Sequence, residues 1–276
     1  MRLRGMAVPM INEQNIPFRW MNLSSHEAQK VRQILEGANG WVARNLNKRC
    51  SIPISIYLAR WGVSPNQITF VNLIFGILSG VVAAMGGYWH FLAGGLLFQW
   101  VSIMDGCDGE VAKLNGKATR FGAWFDTVGD NLSFVVFVVG VTFGFYHQTR
   151  AHWVMILAEV ALVSFAILLC IMVSYLLRNQ DGKASLITYE KEVLNTTFAK
   201  KTGWFATFVR RGKFLIKKDF FALLFSCLAV VNLPQGIVFF AALGSGAVAL
   251  ILSVMTVKQW RFRKADLPEQ ATELSQ

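Results

Sequence analysis

The sequence predicts an all-α integral membrane protein, with six transmembrane helices preceded by N-terminal amphipathic juxtamembrane helices. Two properties of the composition lead to this fold class: 54% of the 276 residues are hydrophobic, yet the formal net charge is +11. Soluble domains rarely combine these values, whereas long apolar runs separated by basic connectors are typical of membrane proteins. Because the basic residues fall between apolar runs and form no aromatic-basic module, we expect no nucleic-acid partner.

The N-terminal region, residues 1–62, predicts short helices beside the bilayer. Its beginning lacks the apolar core of a cleavable signal peptide, so we expect none. Ser24 and Glu27 have the spacing of a helix capping box. The apolar residues that follow share one helical face: Val31, Ile34, Leu35, Ala38, Trp41 and Val42. This face predicts a helix that lies on the membrane surface or, equally well, a peripheral soluble helix. A second short helix is predicted at about residues 53–61.

The membrane domain is predicted to occupy residues 63–260. Its six apolar runs predict the spans, at residues 67–86, 89–112, 121–146, 152–177, 219–232 and 234–257. Residues 179–218 form a basic, partly amphipathic connector that we expect on the membrane surface. The polar C-terminal tail, residues 261–276, is expected to be disordered from Ala265 onward.

The distribution of lysine and arginine predicts the orientation of the spans. The loops near residues 87–90, 147–151 and 232–235 contain one basic residue, Arg150, whereas the alternate connectors are rich in them. Basic loops stay on the cytoplasmic side of a membrane. We therefore expect both termini to be cytoplasmic, in an inner (cytoplasmic) membrane of the prokaryotic type.

Four aspartates at the ends of two adjoining apolar runs form the main candidate site. Asp105 and Asp108 are three residues apart, and Asp126 and Asp130 are four apart, so each pair projects from one face of a helix. Carboxylates at the end of a spanning helix are costly unless they pair, hydrate or hold a cation. A set of oxygen ligands suits Mg²⁺, with Mn²⁺ as a second possibility. Solvated acids or a cation-transport path remain alternative interpretations.

The spacing of these aspartates resembles a known family signature. The sequence reads Asp105-x-x-Asp108-Gly109-x-x-Ala112-Lys113, then eight residues, then Gly122-x-x-x-Asp126-x-x-x-Asp130. It is similar to the CDP-alcohol phosphotransferase signature, D-x2-D-G-x2-A-R-x8-G-x3-D-x3-D. One position differs: Lys113 stands where the family has arginine, which keeps the charge and loses the bidentate fork.

The resemblance implies a fold, an activity and a set of site residues. Asp105, Asp108, Asp126 and Asp130 would hold two Mg²⁺ ions, and Asp130 would also act as the general base. A phospho-alcohol group would move from a CDP-linked donor to a hydroxyl acceptor, which yields CMP and a phosphodiester in phospholipid or inositol-phosphodiester biosynthesis. Relatives in this family are dimers, so we expect a homodimer. A non-catalytic relative is the alternative within the family.

The resemblance also implies where the donor binds. The expected donor contacts are Asn66, Thr69, Gly109, Ala112, Lys113 and Thr119. Gly109 and Ala112 would leave room for the cytidine, and Lys113 would meet the pyrophosphate. For Asn66 and Thr69, the alternative is that one of them caps the first spanning helix.

The substrates stay open between branches of the family. Two details favour the inositol-phosphate branch: the run from Asp108 to Glu110 followed by the run from Arg120 to Asp126, and the basic, helical N-terminal stretch that ends in Pro65-Asn66. Both resemble di-myo-inositol-phosphate-phosphate synthases, in which a CDP-inositol donor meets inositol phosphate. Phosphatidylinositol-phosphate synthases share the signature and use CDP-diacylglycerol. Inositol phosphate and glycerol phosphate are the candidate acceptors. A phosphorylated acceptor needs a facing cation, for which Arg178 is the first candidate and Lys183, Arg210 and Arg211 are weaker ones. The alternative is that these residues only follow the positive-inside pattern of a cytoplasmic loop.

Overall fold

The computed structural model describes residues 18, 21–38, 42–178 and 218–273, and the regular structure in these ranges is helical. The helices are α1 Ser25–Gly37, α2 Lys48–Arg60, α3 Pro65–Ala84, α4 Tyr88–Asn115, α5 Arg120–Thr149, α6 His152–Arg178, α7 Lys218–Val230 and α8 Pro234–Glu273. A π-helical turn, Ala43–Asn47, leads into α2. The all-α prediction is confirmed. Residues 179–217 of the basic connector, with the weaker acceptor candidates Lys183, Arg210 and Arg211, lie outside the described residues.

Four of these helices are long and apolar enough to cross a membrane: Pro65–Ala84, Arg120–Thr149, His152–Ile171 and Pro234–Val254. In the most apolar stretch of α6 only 22% of the residues are buried within the protein, so most of its apolar surface faces outward. Such surfaces need a hydrocarbon environment, and the chain is therefore an integral membrane protein. The other two expected spans coincide with α4, which is 28 residues long but less apolar, and α7, which has 13 residues.

The C-terminal helix differs from the prediction for the tail. Residues from Ala265 were expected to be disordered, but α8 continues without interruption to Glu273. The reason lies in the composition of this stretch, because Ala, Leu, Gln and Glu are strong helix formers. The polarity of the stretch and its proline, Pro268, led to the wrong prediction.

Helices α3 and α5 approach each other closely through glycine. A Cβ atom added to Gly140 of α5 would lie 2.1 Å from the carbonyl oxygen of Gly80 on α3, and one added to Gly80 would lie 2.4 Å from the carbonyl oxygen of Val136. The backbones are therefore in direct contact, as is common where small residues line the interface between spanning helices. This contact fixes α5, which carries two of the aspartates, against α3.

Three phenylalanine rings join α4, α5 and α7 in the centre of the bundle. Phe98 and Phe137 stack with ring centroids 4.3 Å apart, and Phe225 lies 6.2 Å from each of them. All three side chains are fully buried. This aromatic cluster holds the three helices at a fixed spacing beneath their polar ends.

Helix α1 packs on the protein through its apolar face. The capping box of Ser24 and Glu27 is confirmed, and Val31 and Ile34 are buried in a cluster with residues of α2. Arg60 at the end of α2 donates hydrogen bonds to both carboxylate oxygens of Glu27, at 2.9 and 3.0 Å. These bonds lower the pKa of Glu27 to about 2, so the ion pair persists at neutral pH. The contact of α1 with the membrane surface stays a prediction.

We expect Gly140→Ala to destabilise the protein, because the new methyl group meets backbone atoms that have no side-chain freedom to move. The cost is about 1–3 kcal/mol of unfolding free energy, the usual range for overpacking. Gly246→Ala on α8 is the matched control, since its nearest neighbour is Ser164 Oγ at 3.7 Å, an ordinary contact. Thermal unfolding in detergent should show a lower midpoint for Gly140→Ala alone. Equal midpoints would contradict the close backbone contact.

Candidate active site

A short reversal of the chain brings the two aspartate pairs together. Helix α4 ends at Gly116, which has a left-handed φ of 65°. Thr119 then caps α5, because its hydroxyl accepts a hydrogen bond from the Gly122 N–H at 3.0 Å. The last turns of α4 therefore lie beside the first turns of α5, and these turns carry the four aspartates.

Three of the four aspartates form one group. Asp105, Asp126 and Asp130 each offer a carboxylate oxygen, and these atoms lie within 4.8 Å of one another. Oxygens that share one divalent ion are roughly 3 to 4 Å apart, because each lies about 2 Å from the ion. Asp105 Oδ1 is buried and has no hydrogen-bond partner, so it is an acceptor that still lacks a cation or donor. The residues present fit a divalent metal ion.

Asp108 is held differently from the other three. Its Oδ2 accepts a hydrogen bond of 2.5 Å from the Thr69 hydroxyl, and its Oδ1 accepts from the Gly109 N–H. Asp126 lies beside it and also beside Asp105. Asp108 therefore borders the three-carboxylate group and connects it to the start of α3.

The start of α3 places the two predicted donor contacts near the aspartates. Ser64 caps this helix with Gln67, so neither Asn66 nor Thr69 is its cap residue. Thr69 contacts Asp108, as described above. A Cβ atom added to Gly122 would lie 2.9 Å from Asn66 Oδ1, so the amide of Asn66 occupies the space that a side chain would need. A side chain at position 122 would therefore have to displace the Asn66 amide or the Thr119 hydroxyl.

The remaining predicted contacts are spread around the carboxylates. Gly109 is exposed, and a Cβ atom added there would meet no atom within 4 Å, so open space adjoins this face of α4. Ala112 is half-buried, and Lys113 and Thr119 are exposed. Helix α6 ends at Arg178, whose side chain is outside the described part of the structure.

Lys218 is a site residue that the sequence interpretation missed. It is the first residue of α7, and its ammonium forms ion pairs with Asp105 Oδ2, at 3.3 Å, and with Asp130 Oδ1. In the sequence it was one of several basic residues in a connector. Only the packing of α7 against α4 shows that Lys218 contacts the aspartates.

A buried polar network fixes the residue next to Lys218. Asp219 Oδ1 accepts hydrogen bonds from Asn47 Nδ2, at 2.8 Å, and from the Ser102 hydroxyl, at 3.3 Å. Gln99 Nε2 in turn donates to Asn47 Oδ1 at 3.3 Å. Asn47 is the last residue of the π-helical turn, a local structure that often occurs at functional sites. The network anchors the start of α7 to α4 and so sets the position of Lys218.

A second buried network holds α4 against α2. Glu110, with only 2% of its side chain exposed, pairs with Lys48 Nζ at 2.5 Å. The hydroxyls of Ser51 and Ser55 donate to its two carboxylate oxygens at 2.8 and 2.6 Å. Glu110 follows Asp108 by two residues, so the network fixes the rotation of the helix that presents the aspartates.

A family model described as CDP-alcohol phosphatidyltransferase matches residues 62–257 of the chain. The chain belongs to this family. The expectation from the signature is thereby confirmed, and the matched region contains α3 to α7 and the apolar part of α8.

Similar proteins have names from inositol-phosphate metabolism. The "Bifunctional IPC transferase and DIPP synthase" of Aquifex aeolicus is 39% identical over 118 residues, which cover 40% of this chain and 26% of that protein. The protein of the same name from Archaeoglobus fulgidus is 30% identical over 163 residues, 56% of this chain and 30% of its own length. The chain thus spans less than a third of the length of these relatives.

One solved structure is also similar. It is a crystal structure of Mycobacterium tuberculosis phosphatidylinositol phosphate synthase with CDP-DAG bound, with a TM-score of 0.48 and 19% sequence identity. The match covers 77% of this chain and 92% of that one.

We expect Glu110→Gln to destabilise the protein by about 3 kcal/mol, because it leaves the ammonium of Lys48 without its charged partner in a buried site. The double variant Lys48→Met/Glu110→Gln removes both charges and should recover part of the loss. Thermal unfolding of Glu110→Gln, Lys48→Met and the double variant measures the interaction free energy between the two side chains. Additive effects of the two single substitutions would show that the pair does not hold α4 to α2.

Proposed function

We propose that the chain is a membrane-embedded CDP-alcohol phosphotransferase that moves a substituted phosphoryl group from a CDP-linked donor to a hydroxyl acceptor. One observation carries the proposal: in a chain of this family, the carboxylates of Asp105, Asp126 and Asp130 lie close together, with Asp108 beside them. One buried oxygen of this group, Asp105 Oδ1, has no hydrogen-bond partner. Isolated surface acids do not produce that arrangement. Metal-dependent release of CMP is the reaction to be tested.

The proposed metal ion is Mg²⁺, with Mn²⁺ as a substitute. Asp105, Asp126 and Asp130 would hold it, and Asp108, oriented by Thr69, would complete the set for the second ion that the family signature implies. When bound, the ions neutralise negative charge on the phosphates. The all-oxygen donor set supports a hard cation of this kind.

Asp130 is the proposed general base. It accepts the proton of the acceptor hydroxyl while the hydroxyl oxygen forms a bond to the phosphorus atom that carries the alcohol group. The bond from that phosphorus atom to the bridging oxygen of the CMP moiety breaks, and CMP leaves with the electron pair. Asp130 lines a cavity, so its carboxylate lies next to open space.

The donor nucleotide is proposed to lie on the open side of α4. Gly109 and Ala112 leave space there for the cytidine, and Lys113 and Thr119 lie exposed beside that space. Asn66 and Thr69 border it from α3. Lys113 provides one positive charge for the pyrophosphate, without the two parallel hydrogen bonds of an arginine.

An apolar cavity next to the aspartates supports a lipid substrate. It has a volume of about 410 Å³ and lies between α5, α6, α7 and α8. Asp130 and Lys218 line it together with apolar side chains such as Phe134, Leu168 and Val248. A hydrocarbon chain can fill such a space, whereas a free CDP-inositol has no apolar part to place there. We therefore favour CDP-diacylglycerol as donor and inositol phosphate as acceptor, with Arg178 as an acceptor contact and CDP-inositol as the competing donor.

The proposal includes a membrane arrangement. Helices α4 and α7 complete six spans, since each packs among the four apolar helices and α7 joins the central aromatic cluster. The aspartates, both termini and the basic connectors lie on the cytoplasmic side, where a CDP-linked donor is available. The membrane domain, residues 63–260, forms a homodimer through its spans, and residues 1–62 form the N-terminal juxtamembrane segment.

We expect Asp130→Asn to reduce CMP release by at least about a hundredfold, because an amide cannot accept the proton. Nucleotide binding in the presence of Mg²⁺ should be partly retained. Glu159→Gln is the matched control: it neutralises a carboxylate that is exposed on α6, outside the aspartate group. CMP release and nucleotide binding are measured for each purified variant in detergent. Turnover by Asp130→Asn at the wild-type rate would remove Asp130 as the base.

We expect Val248→Trp, which fills the apolar cavity, to raise the KM for a long-chain CDP-diacylglycerol severalfold. Leu250→Trp on the same helix is the control, because Leu250 is exposed on the outer surface and does not line the cavity. For a water-soluble short-chain donor, the KM values of the two variants should differ less. Equal KM values for the long-chain donor would contradict a lipid chain in the cavity, and activity with CDP-inositol alone would favour the competing donor.

A further inference from the structure

Lys218 contacts two of the carboxylates that are expected to hold a divalent ion. Its ammonium contacts one carboxylate oxygen of Asp105 and one of Asp130, and both of these aspartates belong to the three-carboxylate group. The Lys218 side chain is 29% exposed as a whole, but its charged nitrogen is buried. No other lysine or arginine in the described part of the chain forms an ion pair with these aspartates.

The ammonium and a metal ion cannot both use these oxygens without strong repulsion. An ion held by Asp105, Asp126 and Asp130 would lie about 2 Å from an oxygen of each. It would then be roughly 4 to 5 Å from an ammonium that stays on Asp105 and Asp130, and two cations at that distance repel each other in a partly buried site. The lysine stem has four flexible carbons, so the ammonium can leave.

The structure provides a place for a displaced ammonium. Lys218 lines the apolar cavity, and so do the polar residues Thr127 and Asn131, which lie on α5 close to Asp130 in the sequence. The backbone of the lysine stays in place, because the neighbouring Asp219 is fixed by Asn47 and Ser102. Only the side chain has to move.

We propose that Lys218 is an internal counter-ion that occupies the metal site of the metal-free protein and is displaced into the mouth of the cavity when a divalent ion binds. The inference rests on the proposed function, since it assumes that the aspartates hold a metal ion. In the metal-free protein Lys218 offsets the repulsion between Asp105 and Asp130, which allows the ends of α4 and α5 to pack. By linkage, the same contact must weaken metal binding.

Metal binding to three full-length proteins tests the competition. The free Mn²⁺ concentration is measured by electron paramagnetic resonance with wild type, Lys218→Met and Lys117→Met. Lys117 is an exposed lysine in the α4–α5 connector and controls for the loss of one positive charge. We expect the Kd for Mn²⁺ to fall about tenfold or more in Lys218→Met and to change less than about twofold in Lys117→Met. An unchanged or higher Kd in Lys218→Met would overturn the inference.

A second measurement uses the wild-type protein alone and so does not depend on a variant that folds. Lysines are labelled with an amine-reactive reagent, and the rate at each residue is read by mass spectrometry with and without excess Mg²⁺. We expect labelling of Lys218 to accelerate severalfold with Mg²⁺ while Lys117 is unaffected. Labelling of Lys218 that is unchanged or slower would contradict displacement.

The outcomes separate this inference from the proposed function. If wild type binds Mn²⁺ and Lys218→Met binds it no more tightly, the inference fails and the metal-dependent transferase remains. If wild type binds no Mn²⁺ at the aspartates, both fail. Transferase activity is not needed for either measurement.

Discussion

The structure depends on one electrostatic constraint: several carboxylates lie together at the polar end of an apolar helix bundle. Like charges at this distance repel, and a low-dielectric surrounding increases the repulsion. Three features offset that cost within the described residues. Lys218 pairs with Asp105 and Asp130, Thr69 donates to Asp108, and the turn at Gly116 and Thr119 fixes the two helix ends in register. The bundle beneath them is held by ring stacking and by direct backbone contact at Gly140, so the acids cannot simply move apart.

Much of this arrangement could be predicted from the sequence, because it depends on local patterns. Helix caps such as Ser24 with Glu27 have a recognisable spacing, apolar runs mark the helices, and the signature aspartates fall three and four residues apart. Lys218 could not be found in this way. Its partners come from helices far away in the chain, and a lysine at the edge of a basic connector looks the same whether it faces solvent or a carboxylate. The contacts of Glu110 with Lys48 and of Asp219 with Asn47 were missed for the same reason.

One expectation changed for a physical reason. The polar, proline-containing tail was expected to be disordered, yet its residues favour helix and extend α8 to Glu273. The binding of two Mg²⁺ ions by the four aspartates stays a prediction; in the structure Asp105, Asp126 and Asp130 form the tight group, and Asp108 beside them accepts a hydrogen bond from Thr69. The choice of donor also gained a physical criterion, because an apolar cavity at Asp130 favours a substrate with a hydrocarbon chain. None of these features has a periodic signal in the sequence.

The most direct test of the central claim is CMP release by the purified wild-type protein, with and without Mg²⁺. CDP-diacylglycerol and CDP-inositol are each offered with inositol phosphate and with glycerol phosphate. The proposed site predicts CMP release that requires the divalent ion and one particular donor and acceptor pair, with CDP-diacylglycerol and inositol phosphate as the expected pair. No CMP from any pair, or release that is equal without the metal and with a chelator present, would contradict the assignment of the aspartates to a metal-dependent transferase.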